Sequence, residues 1–176
     1  MKKLLFSAAL AVCTMMGVNA QSTNFEAGAY AAIPMGDAGD FTSFNLGITA
    51  AYYWDVVANL KIGAMVGYDL FLAKEYDYGW AKVKGDDIGF VPIAASAKYD
   101  FGGFFAGLNL GYAVATTKDM DGGFLYQPRF GYSGASFDVF GFYKGISSKQ
   151  TVHTDLGKFS SSWTMSSIGA GFAYKF

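Results

Sequence analysis

The chain has 176 residues, a formal net charge of −1 and only 15% charged residues, yet 52% of its residues are hydrophobic and 18% are aromatic. No cluster of lysine and arginine is present to neutralise phosphates, which argues against nucleic acid as a partner. After residue 20, no stretch is apolar for long enough to form a membrane-spanning helix.

The first twenty residues have the three parts of a secretory signal sequence. Lys2 and Lys3 form a positive n-region, and an uncharged apolar stretch runs from Leu4 to Val18. Val18-Asn19-Ala20 places small residues at the positions that a signal peptidase reads. We therefore expect cleavage before Gln21, with residues 21–176 forming one domain. The apolar stretch is too short for a transmembrane anchor.

The only cysteine, Cys13, lies inside this apolar stretch. A lipoprotein cut before Cys13 is disfavoured, because Val12 is bulkier than the residue usual there and the site lies deep in the apolar run. After cleavage before Gln21 no cysteine remains, so neither a disulfide framework nor a thiolate metal site is available.

An alternation of large apolar residues with small or polar ones recurs along the rest of the chain and predicts eight strands. In chain order these are residues 25–33, 44–54, 60–70, 90–99, 104–114, 124–132, 137–145 and 163–176. The seventh segment is the weakest, because Phe140 and Phe142 fit an inner face poorly. Each segment is near the roughly 9–11 residues that a tilted transmembrane strand needs.

The last segment shows the alternation best. One face carries Ile168, Ala170, Phe172, Tyr174 and Phe176, and the other carries Ser167, Gly169, Gly171, Ala173 and Lys175. An apolar outer face with a small or polar inner face is typical of a lipid-embedded barrel. The expected fold is all-β: an eight-stranded antiparallel up-and-down transmembrane barrel.

The connections between the predicted strands differ in length, and aromatic residues gather at the strand ends. Long connections are expected at 34–43, 73–87 and 146–162, and short ones at 55–59, 100–103 and 133–136. Outer-membrane barrels have short periplasmic turns and long external loops, so both termini are expected in the periplasm. The aromatic residues are candidate interface girdles.

A soluble lipocalin-like barrel is the structural alternative. It would turn the apolar face inward and expose a charged exterior. The other face of these strands consists of glycine, alanine, serine and few charges, which is too small and too uncharged for a solvated surface.

The end of the chain resembles the small outer-membrane β-barrel families, the OmpA/OmpX-type barrels and their porin-like relatives. Gly171, Tyr174 and Phe176 fall where those families carry the glycine and two aromatics of a C-terminal assembly signal. The resemblance covers nearly all of residues 21–176 in architecture. It implies residence in the outer membrane of a Gram-negative envelope and recognition by the barrel-assembly machinery.

Seven charged residues project toward the inside of the predicted barrel. They are Glu26, Lys61, Asp69, Lys98, Arg129, Asp138 and Lys144. A charge inside a membrane barrel must be paired or hydrated, and eight strands leave an interior that side chains just fill. The near-balance of signs favours a salt-bridged plug over an ion-selective pore.

Candidates for chemistry are few. His153, Asp155 and Ser160–Ser162 lie close in sequence and could act as base, orienting acid and nucleophile of a lipid-modifying triad, but a polar surface loop is the simpler interpretation. Asp119 to Gly122 resembles half a calcium loop without the ligands that complete one. Asp86 and Asp87 could bridge lipopolysaccharide through divalent ions. We expect no enzymatic activity, no cofactor and no metal site.

Three functions are consistent with this pattern. The first is a structural or surface-interaction barrel, expected to be a monomer, whose outer loops meet lipopolysaccharide or other partners. The second is a small porin or a conduit for hydrophobic solutes, and the third is the lipid-modifying enzyme. The sequence hardly separates the first two.

Overall fold

The computed structural model describes residues 24–77, 82–117, 120–154 and 157–176. Eight antiparallel strands form a closed barrel, so the predicted fold is confirmed. The barrel strands are β1 (Phe25–Met35), β2 (Thr42–Val57), β3 (Leu60–Ala73), β6 (Ile88–Asp100), β7 (Phe104–Ala115), β8 (Gly123–Ser133), β9 (Phe137–Thr154) and β10 (Gly157–Lys175). Two short strands between β3 and β6, β4 (Glu75–Asp77) and β5 (Lys82–Lys84), pair with each other apart from the barrel. The predicted signal sequence, residues 1–20, lies outside the described residues.

Each barrel strand pairs with its neighbours along the chain, and β10 closes the ring by pairing with β1 from Glu26–Lys175 to Met35–Ser166. Because eight strands form the ring, β3 lies opposite β9, and β2 lies opposite β8. Side chains that meet across these pairs of strands therefore span the interior.

One end of the barrel, which we call the turn end, carries three tight connections, at residues 58–59, 101–103 and 134–136. Asn59 has φ 70°, and Gly102 and Gly103 have φ 80° and 106°. Asparagine and glycine are the residues that adopt such left-handed backbone at least cost. These turns match the short connections expected from the sequence.

The opposite end, the loop end, carries the longer connections. The first contains helix α1 (Asp37–Phe41), and the second contains the two-stranded sheet of β4 and β5. The Thr42 hydroxyl donates to the Ala38 carbonyl at 2.6 Å and secures the end of α1.

The prediction of a long loop at residues 146–162 is wrong. Strand β9 continues to Thr154 and β10 begins at Gly157, and the two pair without a break down to Tyr174–Phe137. A strand shows alternation only where one face meets a core or lipid. This hairpin is rich in serine and threonine, so its sequence carries no such signal.

The strands expose an apolar face, but the buried face carries large apolar residues as well as the small and polar ones expected from the sequence. Tyr53, Phe71, Phe105 and Leu125 point inward and are almost fully buried. Phe140 and Phe142, expected to fit an inner face poorly, are also buried in the interior. No helix in the described ranges is long and apolar enough to cross a membrane.

Two apolar clusters fill the interior. One extends from Tyr53 toward the loop end and also includes Phe71, Phe90, Leu125, Ile146 and Met165. The other joins residues of β1, β7, β9 and β10; it consists of Tyr30, Ala32, Phe105, Phe140, Phe142 and Ala173. The buried charges lie among these rings, so the barrel interior is itself the core of the protein.

Candidate functional site

A network of four charges, three of them buried, crosses the interior near the turn end. The Lys98 ammonium of β6 lies 2.6 Å from Glu26 Oε1 of β1, and it also forms an ion pair with Asp138 of β9. The other Asp138 oxygen lies 2.9 Å from the ammonium of Lys175, which ends β10. Two lysines therefore face two acids, and their mutual attraction offsets part of the free-energy cost of removing these charges from water.

A second ionic layer lies farther along the strands and joins opposite walls. Lys144 Nζ of β9 lies 2.5 Å from Asp69 Oδ1 of β3, and the Tyr30 hydroxyl donates to the same carboxylate oxygen. Lys144 Nζ also lies 4.5 Å from the centre of the Tyr30 ring and 5.4 Å from that of Phe71. Aromatic faces attract a desolvated cation, so the ammonium is held on several sides in the middle of the barrel.

Arg129 is held differently. Its guanidinium donates to the Tyr53 hydroxyl of the opposite strand β2 at 2.7 Å. It lies 5.3 Å from the centre of the Phe140 ring, and its Nε–H has no hydrogen-bond partner among the described residues. This cation is thus held by a hydroxyl and aromatic faces.

Uncharged polar side chains continue from Arg129 around the barrel wall. The Tyr53 hydroxyl lies 2.9 Å from the Ser96 hydroxyl, and the amide of Asn109 donates to Gln127 at 2.9 Å. Ser96 donates in turn to Asn109. Each group has a partner, as buried polar groups require.

The structure places six of the seven predicted inward charges in the buried interior. These are Glu26, Asp69, Lys98, Arg129, Asp138 and Lys144. The seventh, Lys61, lies at the turn end with its side chain 28% exposed, 3.6 Å from the more exposed Asp55. It lines a polar cavity of about 250 Å³ with Lys98, Asp100 and Lys175.

Lys175 is the charged residue that the predicted set omitted. Its position in the alternation already pointed inward, and its ammonium donates to the Ser133 hydroxyl at 2.8 Å and the Gly134 carbonyl at 2.7 Å. Asp138 therefore has two cationic partners, which the one-dimensional pattern did not identify.

The three residues that resemble an assembly signal lie at the seam between β10 and β1. The Phe176 amide donates to the Phe25 carbonyl at 2.9 Å, and the two rings are 5.6 Å apart. Tyr174 packs edge-on against Phe176 at 4.9 Å. A Cβ at Gly171 would lie 2.7 Å from the Phe140 ring, so this position must stay small. Their role in assembly stays a prediction.

An apolar cavity of about 410 Å³ opens at the loop end, above the first apolar cluster. Its lining comes from α1, the end of β3, the connection to β6, the connection between β7 and β8, and residues 163–165 of β10. The lining residues central to its shape are Ala38, Phe41, Ala73, Ile88, Met120, Trp163 and Met165. Lys74, Asp37 and Asp86 are the charged residues that line it. Small-molecule sites have this size and this mostly apolar character.

Two residues of the candidate triad lie in the backbone ladder of the last hairpin. His153 pairs with Lys158 in the ladder of β9 and β10, and Ser160 pairs with Thr151. Asp155 lies outside the described residues. Sequence neighbours that were expected in one loop therefore occupy two strands and a segment of which nothing is described.

No group of three or more histidine, cysteine, aspartate or glutamate side chains in the described ranges could hold a metal ion. Asp87 accepts a hydrogen bond from the Ala73 amide at 3.0 Å, and Asp86 lines the loop-end cavity. Asp119, part of the partial calcium motif, lies outside the described residues.

No family model matches the sequence, and no curated protein matches it. Among solved structures, the chain is similar to Neisserial surface protein A, at 18% identity with a TM-score of 0.50, over 88% of this chain and 98% of that one. It is also similar to the Yersinia pestis outer membrane protein Ail, at 12% identity with a TM-score of 0.50, over 85% of this chain and 99% of that one. The chain has the fold of the small outer-membrane β-barrels.

Proposed function

We propose that this protein is an integral outer-membrane barrel with an occluded interior, whose loop end presents the contact surface. The observation that carries the proposal is the apolar outer face. Every barrel strand contributes large apolar side chains that are 42% to 63% exposed: Ile33, Ile48, Val66, Ile93, Leu110, Phe130, Val139 and Ile168. Soluble proteins rarely expose a continuous apolar surface of this extent.

Aromatic side chains flank this belt at both ends, as in membrane barrels. At the turn end the exposed rings are Tyr52, Trp54, Tyr99, Phe101, Phe104, Tyr132, Phe137, Tyr174 and Phe176. At the loop end they are Phe41, Phe44, Tyr112, Phe124 and Tyr143. Amphipathic rings favour the headgroup level, so two such rows support a barrel held across one bilayer.

The filled interior supports a structural or interaction role over a porin role. Lys144 bonds to Asp69 on the opposite strand, and Arg129 bonds to Tyr53 on the opposite strand. Direct bonds across the barrel occupy the space that a water-filled channel needs. In this proposal the turn end and both termini face the periplasm, and the loop end meets lipopolysaccharide or other external partners.

Arginine substitution on the outer face tests membrane insertion. Ile93 is 56% exposed, so Ile93→Arg should lower the free energy of unfolding by at most about 0.5 kcal/mol if this face meets water. If it meets the bilayer core, the cost is about 2–4 kcal/mol. Urea unfolding in lipid vesicles measures the difference, with Ala135→Arg in an exposed turn as the control. Equal, small effects of both substitutions would contradict membrane insertion.

Planar-bilayer recording tests the occluded interior. The refolded wild-type protein is expected to give no conductance steps, because the ion pairs and aromatic rings fill the barrel. The double variant Arg129→Ala with Phe140→Ala removes two large buried side chains and serves as the opened comparison. Regular steps from the wild-type protein would favour the porin instead.

A further inference from the structure

We infer that the loop-end cavity is a binding site for one uncharged, mainly aliphatic small molecule, such as a medium-chain alcohol. This inference rests on the proposed function, in which the loop end faces the outside of the cell. Its volume of about 410 Å³ falls within the range of small-molecule sites.

The cavity has a closed floor. Met165 lines it and belongs to the apolar cluster that also contains Phe71 and Ile146. Beyond that cluster, Lys144 and Asp69 join opposite strands. A ligand that enters from the loop end therefore stops in the cavity, which makes it a terminal site and not the entrance of a conduit.

Small residues keep the cavity open. Ala38 and Ala73 are buried at its wall, where larger side chains would occupy the space. Ile88, Met120 and Trp163 supply the apolar surface around them. Transfer of aliphatic groups from water onto such a surface is favourable in proportion to the area that is buried.

The charged lining residues disfavour an anionic ligand, and the apolar floor of the cavity disfavours any charged group. Lys74 lines it, but its ammonium already donates to the Gly39 carbonyl. Asp37 and Asp86 are the other charged lining residues. An anion would meet two acids and a cation, and a charged group drawn into the apolar interior would lose hydration without a partner. A hydroxyl can hydrogen-bond to either kind of group.

Trp163 provides a reporter inside the cavity, and Trp54 provides one on the outer face, where it is 55% exposed. Two single-tryptophan proteins are needed, one keeping Trp163 and the other keeping Trp54, with the remaining tryptophans replaced by phenylalanine. Both are refolded into lipid vesicles. The probe is undecanol with bromine on its terminal carbon, which quenches tryptophan on contact.

Binding in the cavity predicts saturable quenching of Trp163, reversed by unbrominated undecanol and hardly by undecanoate. Quenching of Trp54 should instead rise in proportion to the probe dissolved in the bilayer. Ala73→Phe fills the cavity and should raise the probe concentration that half-saturates the quenching of Trp163 by about tenfold or more. The matched control is Ala115→Phe, at the end of β7, because Ala115 packs on the cluster without lining the cavity.

Two outcomes overturn the inference: quenching of Trp163 that never saturates, or quenching that Ala73→Phe leaves unchanged. Vesicle insertion of each protein is checked first by protease protection. A protein that does not insert contradicts the proposed membrane location. A protein that inserts but shows no saturable site contradicts only the cavity inference.

Discussion

The two halves of the barrel interior are built on the same strands but filled with different chemistry. Toward the turn end, Glu26, Lys98, Asp138 and Lys175 form a connected ionic network. Toward the loop end, Phe71, Phe90, Leu125 and Ile146 pack in an apolar cluster, and an open cavity lies above it. Buried charges must lie within bonding distance of partners, so they fix the packing around them. Contacts between apolar side chains have no preferred direction, so an apolar cluster can border an empty cavity.

We expect the two halves to have different roles. The ionic half and the Lys144–Asp69 layer close the barrel, and the apolar half supplies a surface on which a ligand can be held. Substitutions should therefore differ in kind. The loss of one partner of a buried ion pair can be repaired by removing the other partner, whereas the loss of a buried apolar side chain cannot be repaired in this way.

The largest effect is expected from Lys144→Met. This change leaves Asp69 buried without its cation, although Tyr30 still donates to it. Breaking one side of a buried ion pair costs about 3–5 kcal/mol. The free energy of unfolding is measured by urea titration in lipid vesicles.

The double variant Asp69→Asn with Lys144→Met is the matched control. It removes both charges and keeps an acceptor for Tyr30, so most of the lost stability should return. A single variant as stable as the wild type would show that Asp69 is hydrated or neutral in the barrel, and the proposed closing layer would then be wrong.

In the apolar half, Leu125→Ala is expected to cost about 2–5 kcal/mol, because Leu125 is fully buried and truncation leaves a void. No second substitution on a neighbouring strand should restore this loss in the way that the ionic double variant does. A loss below about 1 kcal/mol would mean that the apolar cluster collapses around the void, and that its packing is looser than the described contacts indicate.

The sequence predicted which way most side chains face, because strand alternation is a local property. Glu26, Asp69 and Lys144 were placed inside on this basis, and the structure buries them. The sequence did not predict the partners of these charged residues. Lys144 and Asp69 are 75 residues apart and meet only because β3 and β9 are opposite each other in the ring.

The cavity could not be predicted either. Ala38 lies in a five-residue helix, Ala73 at the end of β3 and Trp163 in β10. These residues line one cavity only because of the way the connections fold over the barrel end, and strand alternation does not predict that folding. The extension of β9 and β10 was missed for a related reason, since strands without an apolar layer to face lack alternation.

A smaller effect on stability is expected from deletion of Phe176. The deletion removes its amide bond to Phe25 and its ring contacts with Phe25 and Tyr174. Aromatic pairs contribute about 0.5–1.5 kcal/mol each, so the refolded barrel should keep its strand content. In cells, outer-membrane yield should fall much further, with the protein recovered as periplasmic aggregate. Phe101→Ala, an exposed turn aromatic, is the control; equal yields would remove the assembly role.

The smallest effect is expected from Lys61→Met at the turn-end opening. Lys61 pairs with Asp55 at 3.6 Å, and both side chains are accessible to water. Exposed ion pairs contribute about 0–1 kcal/mol, and salt screens them. The unfolding free energies of Lys61→Met and wild type should therefore converge as salt is raised, whereas Lys144→Met should stay far below both because its pair is shielded from ions. If Lys61→Met cost as much as Lys144→Met at high salt, burial would not distinguish the two lysines, and the ionic layer of Lys144 would have no special part in closing the barrel.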